Sequence, residues 1–323
     1  MRRVAFFALL MTLAAVHIAA AQPAPWPERP IHLIVPFPAG SSSDIVARIV
    51  AQGLSERLGQ QLVVENRPGA SGNLGTEAVA HAAADGYTLG LANTSTLTLS
   101  PSLMAKPAYD PVKDFVPISM IGASPFVLAL YPDVPAQGVQ ELIALAKTKP
   151  AKLTFASAGP ATLANLAGVL FAKTAHIELT PVSYRGSGQE ILDVVAGRVD
   201  MAFATIPPTL PLIRENKVRA IAVTGPQRSS ALADVPTVAE SGLPGYESVL
   251  WQALYAPAGT PAPIVTRLNA EVNAILHDSA AVDALAKLGV EAQPGTAQQL
   301  ANRISADLKK WHDVIVSAGI QPQ

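Results

Sequence analysis

The chain has 323 residues, 23 basic against 24 acidic side chains, a formal net charge of −1 and no cysteine. The missing thiols exclude disulfide staples, thiolate metal sites, a cysteine nucleophile and a lipid-modified cysteine. No run of Lys and Arg offers itself to a nucleic-acid backbone, and the length allows two domains with substantial cores.

Arg2 and Arg3 open the chain, an apolar run from Val4 to Val16 follows, and Ala19-Ala20-Ala21 supplies small side chains. This three-part layout reads as a secretory signal peptide over residues 1–21. Its run of about 13 residues falls short of the roughly 20 that a spanning helix needs. Losing Arg2 and Arg3 takes the net charge from −1 to −3. The expected product is soluble, freely diffusing and periplasmic, with no lipid anchor.

Strands and helices then alternate. Ile31–Val35 is short and β-branched, as a buried parallel strand should be. Asp44–Leu58 puts Ile45, Val46, Ile49, Val50, Leu54 and Leu58 on one helical face. Gln61–Glu65 reads as a strand, Thr76–Ala83 as a helix and Tyr87–Leu91 as a third strand. The middle of the chain predicts strands at 126–130, 153–156, 179–184, 199–203 and 218–223. Helices are predicted between them at 139–147, 162–175, 189–196 and 208–215. A last strand at 250–256 precedes a helical tail at 262–277, 280–288 and 297–318. These are too many strands for one compact sheet, so two α/β lobes with a cleft are expected. In such layers ligands bind beyond the carboxyl ends of the strands.

Four strand-to-helix loops share one design. Pro36–Asp44 carries Gly40 and three serines into a helix start, whose free N–H groups attract anions. Ala92–Thr96 offers four consecutive small polar side chains. Ala156–Thr162 places Pro160 where a first helical turn tolerates it. Tyr184–Gly188 carries an aromatic, two glycines and Arg185, which can fork onto a carboxylate. Each loop alone is equally an ordinary cap or solvated turn, and Arg185 alone an ordinary surface arginine. Two from each half of the chain describe a cleft lined by neutral donors facing an anion.

Enzyme chemistry finds little footing. The histidines of the exported part, His32, His81, His176, His277 and His312, sit singly, with no helical metal pair. No G-x-S-x-G elbow or Walker loop occurs, and Gly69, Gly72 and Gly75 have the wrong spacing for a dinucleotide fingerprint. No cofactor and no metal is expected, and catalysis is not.

From Pro27 to Gly319 the chain resembles the receptor proteins of tripartite tricarboxylate transporters, the Bug family. The resemblance rests on Arg29-Pro30-Ile31, Pro36-Phe37-Pro38 with Gly40 and Asp44, Val64 through Ala70, Asp85 through Leu89, Tyr109 through Phe115, Ala156 through Gly159, Asp234 through Glu240, and Ala256 through Pro261. It implies a type II periplasmic-binding fold of two α/β lobes, 22–123 plus 250–323 and 124–249. Two crossing strands near Ile121–Leu128 and Tyr246–Ala256 would join them. It also implies capture of a small carboxylate by Ala39, Gly40, Ser42, Asn93, Thr94 and Ser95 from one lobe and Ser157, Gly159, Thr162, Asn165, Tyr184 and Gly186 from the other. The expected partner is the membrane subunits of a transporter, with the receptor a monomer. A sensory receptor for a signalling kinase, or an enzyme on the same fold, are the rival readings. Ala204 stands where many members have aspartate. Its loss removes an acceptor for a ligand ammonium, so the expected ligand is an organic acid without a charged amine.

Overall fold

The computed structural model describes residues 26–148, 152–157, 159–184, 187–317, 319, 320 and 322. The expected signal peptide lies outside the described residues.

Helix α1 (Ser42–Leu58) follows strand β1 (Ile31–Val35) and shows how the sequence builds one unit. Ser41 caps it, its Oγ accepting from the Asp44 N–H, and Gly59 ends it with φ 69°. Val46, Val50, Leu54 and Leu58 recur every fourth residue and are all buried, each burial favouring the fold by roughly 1.5–3 kcal/mol. The chain continues through β2 (Leu62–Asn66), α2 (Asn73–Ala80) and β3 (Thr88–Asn93). A short helical stretch, Ser95–Leu99, then runs into α3 (Ser100–Leu103).

Strand β4 (Phe115–Leu130) has 16 residues and serves two sheets. Next come α4 (Val139–Thr148), β5 (Thr154–Ser157), α5 (Leu163–Thr174), β6 (Thr180–Ser183), α6 (Ser187–Val195), β7 (Met201–Thr205), α7 (Ile206–Arg214) and β8 (Arg219–Val223). The return strand is β9 (Val249–Pro257), followed by α8 (Ala262–His277), α9 (Ser279–Ala286), β10 (Glu291–Ala292) and α10 (Ala297–Ser317).

The strands run in the order β2-β1-β3-β9-β4-β7-β5-β6, with β8 and β10 also bonded to β4. Parallel pairing holds β1 with β2 and β3, and β5 with β6 and β7. Between these two parallel groups lie β4 and β9, antiparallel from Phe115↔Pro257 to Pro125↔Val249. The last five residues of β4 then pair with β7 and β8. Two half-sheets joined by two long crossing strands form the mixed α/β binding-protein architecture that was expected.

Each half-sheet has its own core. Ile31, Leu33, Val50, Leu54 and Leu254 belong to the first, and Leu128, Phe155, Phe171 and Phe203 to the second. Helix α10 touches more than one cluster. Leu300 and Ile304 pack with Leu97 and Trp251, whereas Trp311 and Ile315 join the core of the second half-sheet together with Leu99 and Leu103. No helix among the described residues is long and apolar enough to cross a membrane.

Candidate functional site

The parallel strands of each half-sheet release their helices toward a common cavity. Phe37, Ser41, Ser42, Ser43, Asn93 and Ser95 wall it from the first half-sheet. Phe126, Thr162, Ala164, Glu190 and Thr205 wall it from the second, and Leu250 from β9. Its volume of about 40 Å³ exceeds the roughly 10–15 Å³ that a single water needs.

The first wall is the start of α1. Ser42 and Ser43 stand in its first turn, where backbone N–H groups have no carbonyl partner within the helix. Such a terminus favours an anion. Asp44 shapes the approach. Its carboxylate accepts from the Gly40 N–H at 2.9 Å and from Asn66 Nδ2 at 2.9 Å, and pairs with Arg48 at 2.9 Å. Burial alone would raise its pKa, but the Arg48 guanidinium, the Gly40 amide and Asn66 outweigh that and hold it below the usual carboxylate range. Gly40 has φ 77°, a left-handed conformation that turns its N–H back onto this carboxylate.

The second segment was expected as a loop and is instead a helix start. Asn93 Oδ1 accepts from the N–H groups of Ser95 and Thr96 at 2.9 and 3.2 Å, and Thr98 Oγ1 donates to the Thr94 carbonyl at 2.6 Å. These internal bonds let four polar residues be buried together. Ser95 then reaches across the cleft, its Oγ accepting from the Leu163 N–H at 3.0 Å. That bond ties the two half-sheets directly at the cavity.

From the second half-sheet, Thr162 caps α5, its Oγ1 accepting from the Asn165 N–H. Thr205 ends β7 with a buried Oγ1 that has no partner among the described residues. Gly159 has φ 124°, and a Cβ placed there would lie 2.6 Å from Ser71 Oγ of the opposite half. The close approach of two loops from different half-sheets is the geometry of a shut cleft.

The family model for the tripartite tricarboxylate transporter family receptor matches residues 46–320. The chain belongs to this receptor family. BugT of Bordetella pertussis is 37% identical over 295 residues, covering 91% of this chain and 90% of its own. An R. palustris protein solved with adipate superposes with a TM-score of 0.90 at 35% identity, covering 92% of this chain and all of its own. MatC from Rhodopseudomonas palustris, solved with bound malate, gives 0.85 at 33% identity over 90% of this chain and 100% of its own. The family consists of binding receptors and not of enzymes, in keeping with the sparse catalytic groups.

In this receptor eleven of the twelve predicted contacts fall into three groups. Ser42, Asn93, Ser95 and Thr162 line the cavity. Ala39 and Gly40 are exposed, outside that lining, and the Gly40 amide is given to Asp44. Thr94, Ser157, Gly159, Asn165 and Tyr184 are not among the residues that line the cavity. The Thr94 hydroxyl accepts from the Trp251 N–H at 3.0 Å, Ser157 Oγ donates to Asn165 Oδ1 at 3.3 Å, and the Tyr184 hydroxyl donates to Asp193 at 2.8 Å. Gly186 and Arg185 lie outside the described residues.

Sequence reading missed Glu190 altogether. It is 0% exposed in the wall of the cavity, and neither carboxyl oxygen has a hydrogen-bond partner among the described residues. Burial pushes its carboxyl up to about 8. The available signal was spacing. Glu190 and Val194 are four residues apart on α6 and adjoin buried Ile191, so Glu190 belongs to the inward face, while Gln189 and Leu192 are exposed.

Proposed function

We propose that this receptor captures a small organic carboxylate in the cavity between its half-sheets and hands it to the membrane subunits of a tripartite transporter. The supporting observation is the cavity wall itself. Serine hydroxyls, Asn93 and the unpaired amides of the α1 first turn converge from one side, and Thr162 and Thr205 face them from the other. Relatives crystallised with adipate and with malate favour the same ligand class. Of the predicted contacts, Ser42, Asn93, Ser95 and Thr162 are the residues this reading relies on.

Residues 22–123 with 250–323 form one lobe and 124–249 the other, swinging about β4 and β9. Ligand touching both lobes binds the shut form better, and only that differential affinity moves the population toward it. Export by residues 1–21 would place the receptor in the periplasm as a monomer.

A thermal-shift panel of mono-, di- and tricarboxylates on protein stripped by unfolding and refolding tests this. A ligand at about 100 times its Kd adds roughly 2.7 kcal/mol. A panel in which no carboxylate raises Tm, while Ser42→Ala and Thr162→Ala behave like the wild type throughout, would overturn the proposal.

A further inference from the structure

The cavity has a second chemical character that a carboxylate alone does not satisfy. Among its lining residues Glu190 is the one titratable side chain, and no Lys, Arg or His stands beside it there. Thr205 Oγ1, in the same wall, is a second buried polar atom without a partner among the described residues. Unpartnered buried polar groups are costly enough that native structures satisfy nearly all of them. Two residues with such atoms stand in one wall of the cavity, a place where a bound ligand could supply what the described residues do not.

The charged groups packed around this wall are engaged elsewhere. On α6 itself, Asp193 accepts from the Tyr184 hydroxyl at 2.8 Å and pairs with Arg198 at 2.7 Å. Across the cleft, Asp44 is held by Arg48 and Asn66. Among the described residues, none gives the Glu190 carboxyl a hydrogen bond.

We infer that Glu190 is the specificity-determining residue of the cavity, and that it selects carboxylates which also carry a positively charged nitrogen. The inference rests on the carboxylate reading above and adds to it. The α1 first turn takes the ligand carboxylate, and Glu190 takes the ammonium, with Thr205 completing the donor's coordination. A plain dicarboxylate would instead set a second anion against a buried carboxyl group. Ala204 removes one acceptor from the end of β7; Glu190 supplies another from the facing helix. The ligand class expected from Ala204 alone is thereby reversed.

Glu190 enters this complex ionised, whereas burial without a partner keeps it protonated in the empty shut form. Binding of a cationic ligand therefore expels a proton, and affinity rises with pH between 6 and 8. Binding through a protonated Glu190 would give the opposite slope.

The test is calorimetry on the refolded protein with matched series of two to six carbons: amino acids, their deaminated analogues and dicarboxylates. Wild type, Glu190→Gln and Arg185→Gln are compared. The expected result is at least a tenfold preference for an ammonium-bearing ligand over its deaminated partner, growing with pH. Glu190→Gln should shrink that ratio at least tenfold and flatten its pH dependence, and Arg185→Gln should not. Preference for a dicarboxylate with affinity falling as pH rises would overturn the inference. Equal ratios in wild type and Glu190→Gln would overturn it too, as would matching losses in Glu190→Gln and Arg185→Gln with every ligand, the mark of a structural ion pair. If none of the three series binds to any variant, the carboxylate reading fails, and the inference falls with it.

Discussion

Replacing Glu190 by Gln isolates the cost of keeping an acid in the cavity wall, without any ligand. The folded-state pKa is raised, to about 8, above the ordinary glutamate value of roughly 4.3. Over that interval the native state holds a proton that the unfolded state has lost. The contribution to stability is complete below the unfolded pKa and is lost as pH rises through the folded one. The slope is about −1.4 kcal/mol per pH unit. From pH 5.5 to 7.5 the wild type should lose roughly 2–3 kcal/mol relative to Glu190→Gln. At about 2 °C per kcal/mol for a chain of this size, that is a relative fall in Tm of roughly 5 °C. Scanning calorimetry of both proteins at three pH values reads the difference directly, since all other groups cancel. A difference in Tm independent of pH would refute the buried, unpartnered carboxyl. That flat profile is what a Glu190 held ionised against a cation would give, since folded and unfolded states would both have lost the proton across this range.

Other perturbations probe the remaining parts of the site. Ser95→Ala strips the acceptor from the Leu163 N–H and should weaken ligand binding about tenfold by disfavouring the shut form; small-angle scattering with and without ligand should show a wider ligand-free molecule. Gly159→Ala forces a side chain into a positive-φ backbone and against Ser71, so the empty protein should lose about 1–3 kcal/mol of stability and binding should fall at least tenfold; unchanged affinity would contradict the close approach. Asp44→Asn keeps the shape but loses the Arg48 pair, half-exposed on the arginine side, for a cost of about 1–2 kcal/mol. Because the Asp44 pKa is lowered, that cost should be full at pH 7 and vanish as acid titrates the wild-type carboxylate, which urea melts down to pH 3 would follow. Trp251→Phe breaks the 2.7 Å indole bond to Asp307 and should cost about 1.5–3 kcal/mol in chemical denaturation.

Periodicity carried much of the fold into view. Val46, Val50, Leu54 and Leu58 fix α1, and the limits of β1 and α8 coincide with their apolar patterns. Where the pattern is broken, legibility fails. The first eleven residues of β4 contain Pro117, Ser119, Gly122, Ser124 and Pro125, and the register shifts after Pro117 and after Met120. An interrupted run of that kind reads as loop until its partner β9 is known. The polar run Asn93-Thr94-Ser95-Thr96 reads as solvated because its hydrogen bonds are invisible in sequence; in the fold they close on one another and on Trp251. Glu190 looks like an ordinary acid in a helix's first turn. Its spacing with Val194 puts it on the inward face of α6, but that this face borders a cavity depends on tertiary packing, which local spacing does not encode.

Helix α10 changes what opening the cleft can mean. Its early turns are wedged among Leu97 and Trp251, and its later turns hold Trp311 and Ile315 in the opposite core. A rod glued at both ends cannot pass the full swing of one lobe without sliding. Parting the lobes, as proposed, would either slide these contacts or uncover apolar surface at this helix, at a cost of about 25 cal/mol per Å².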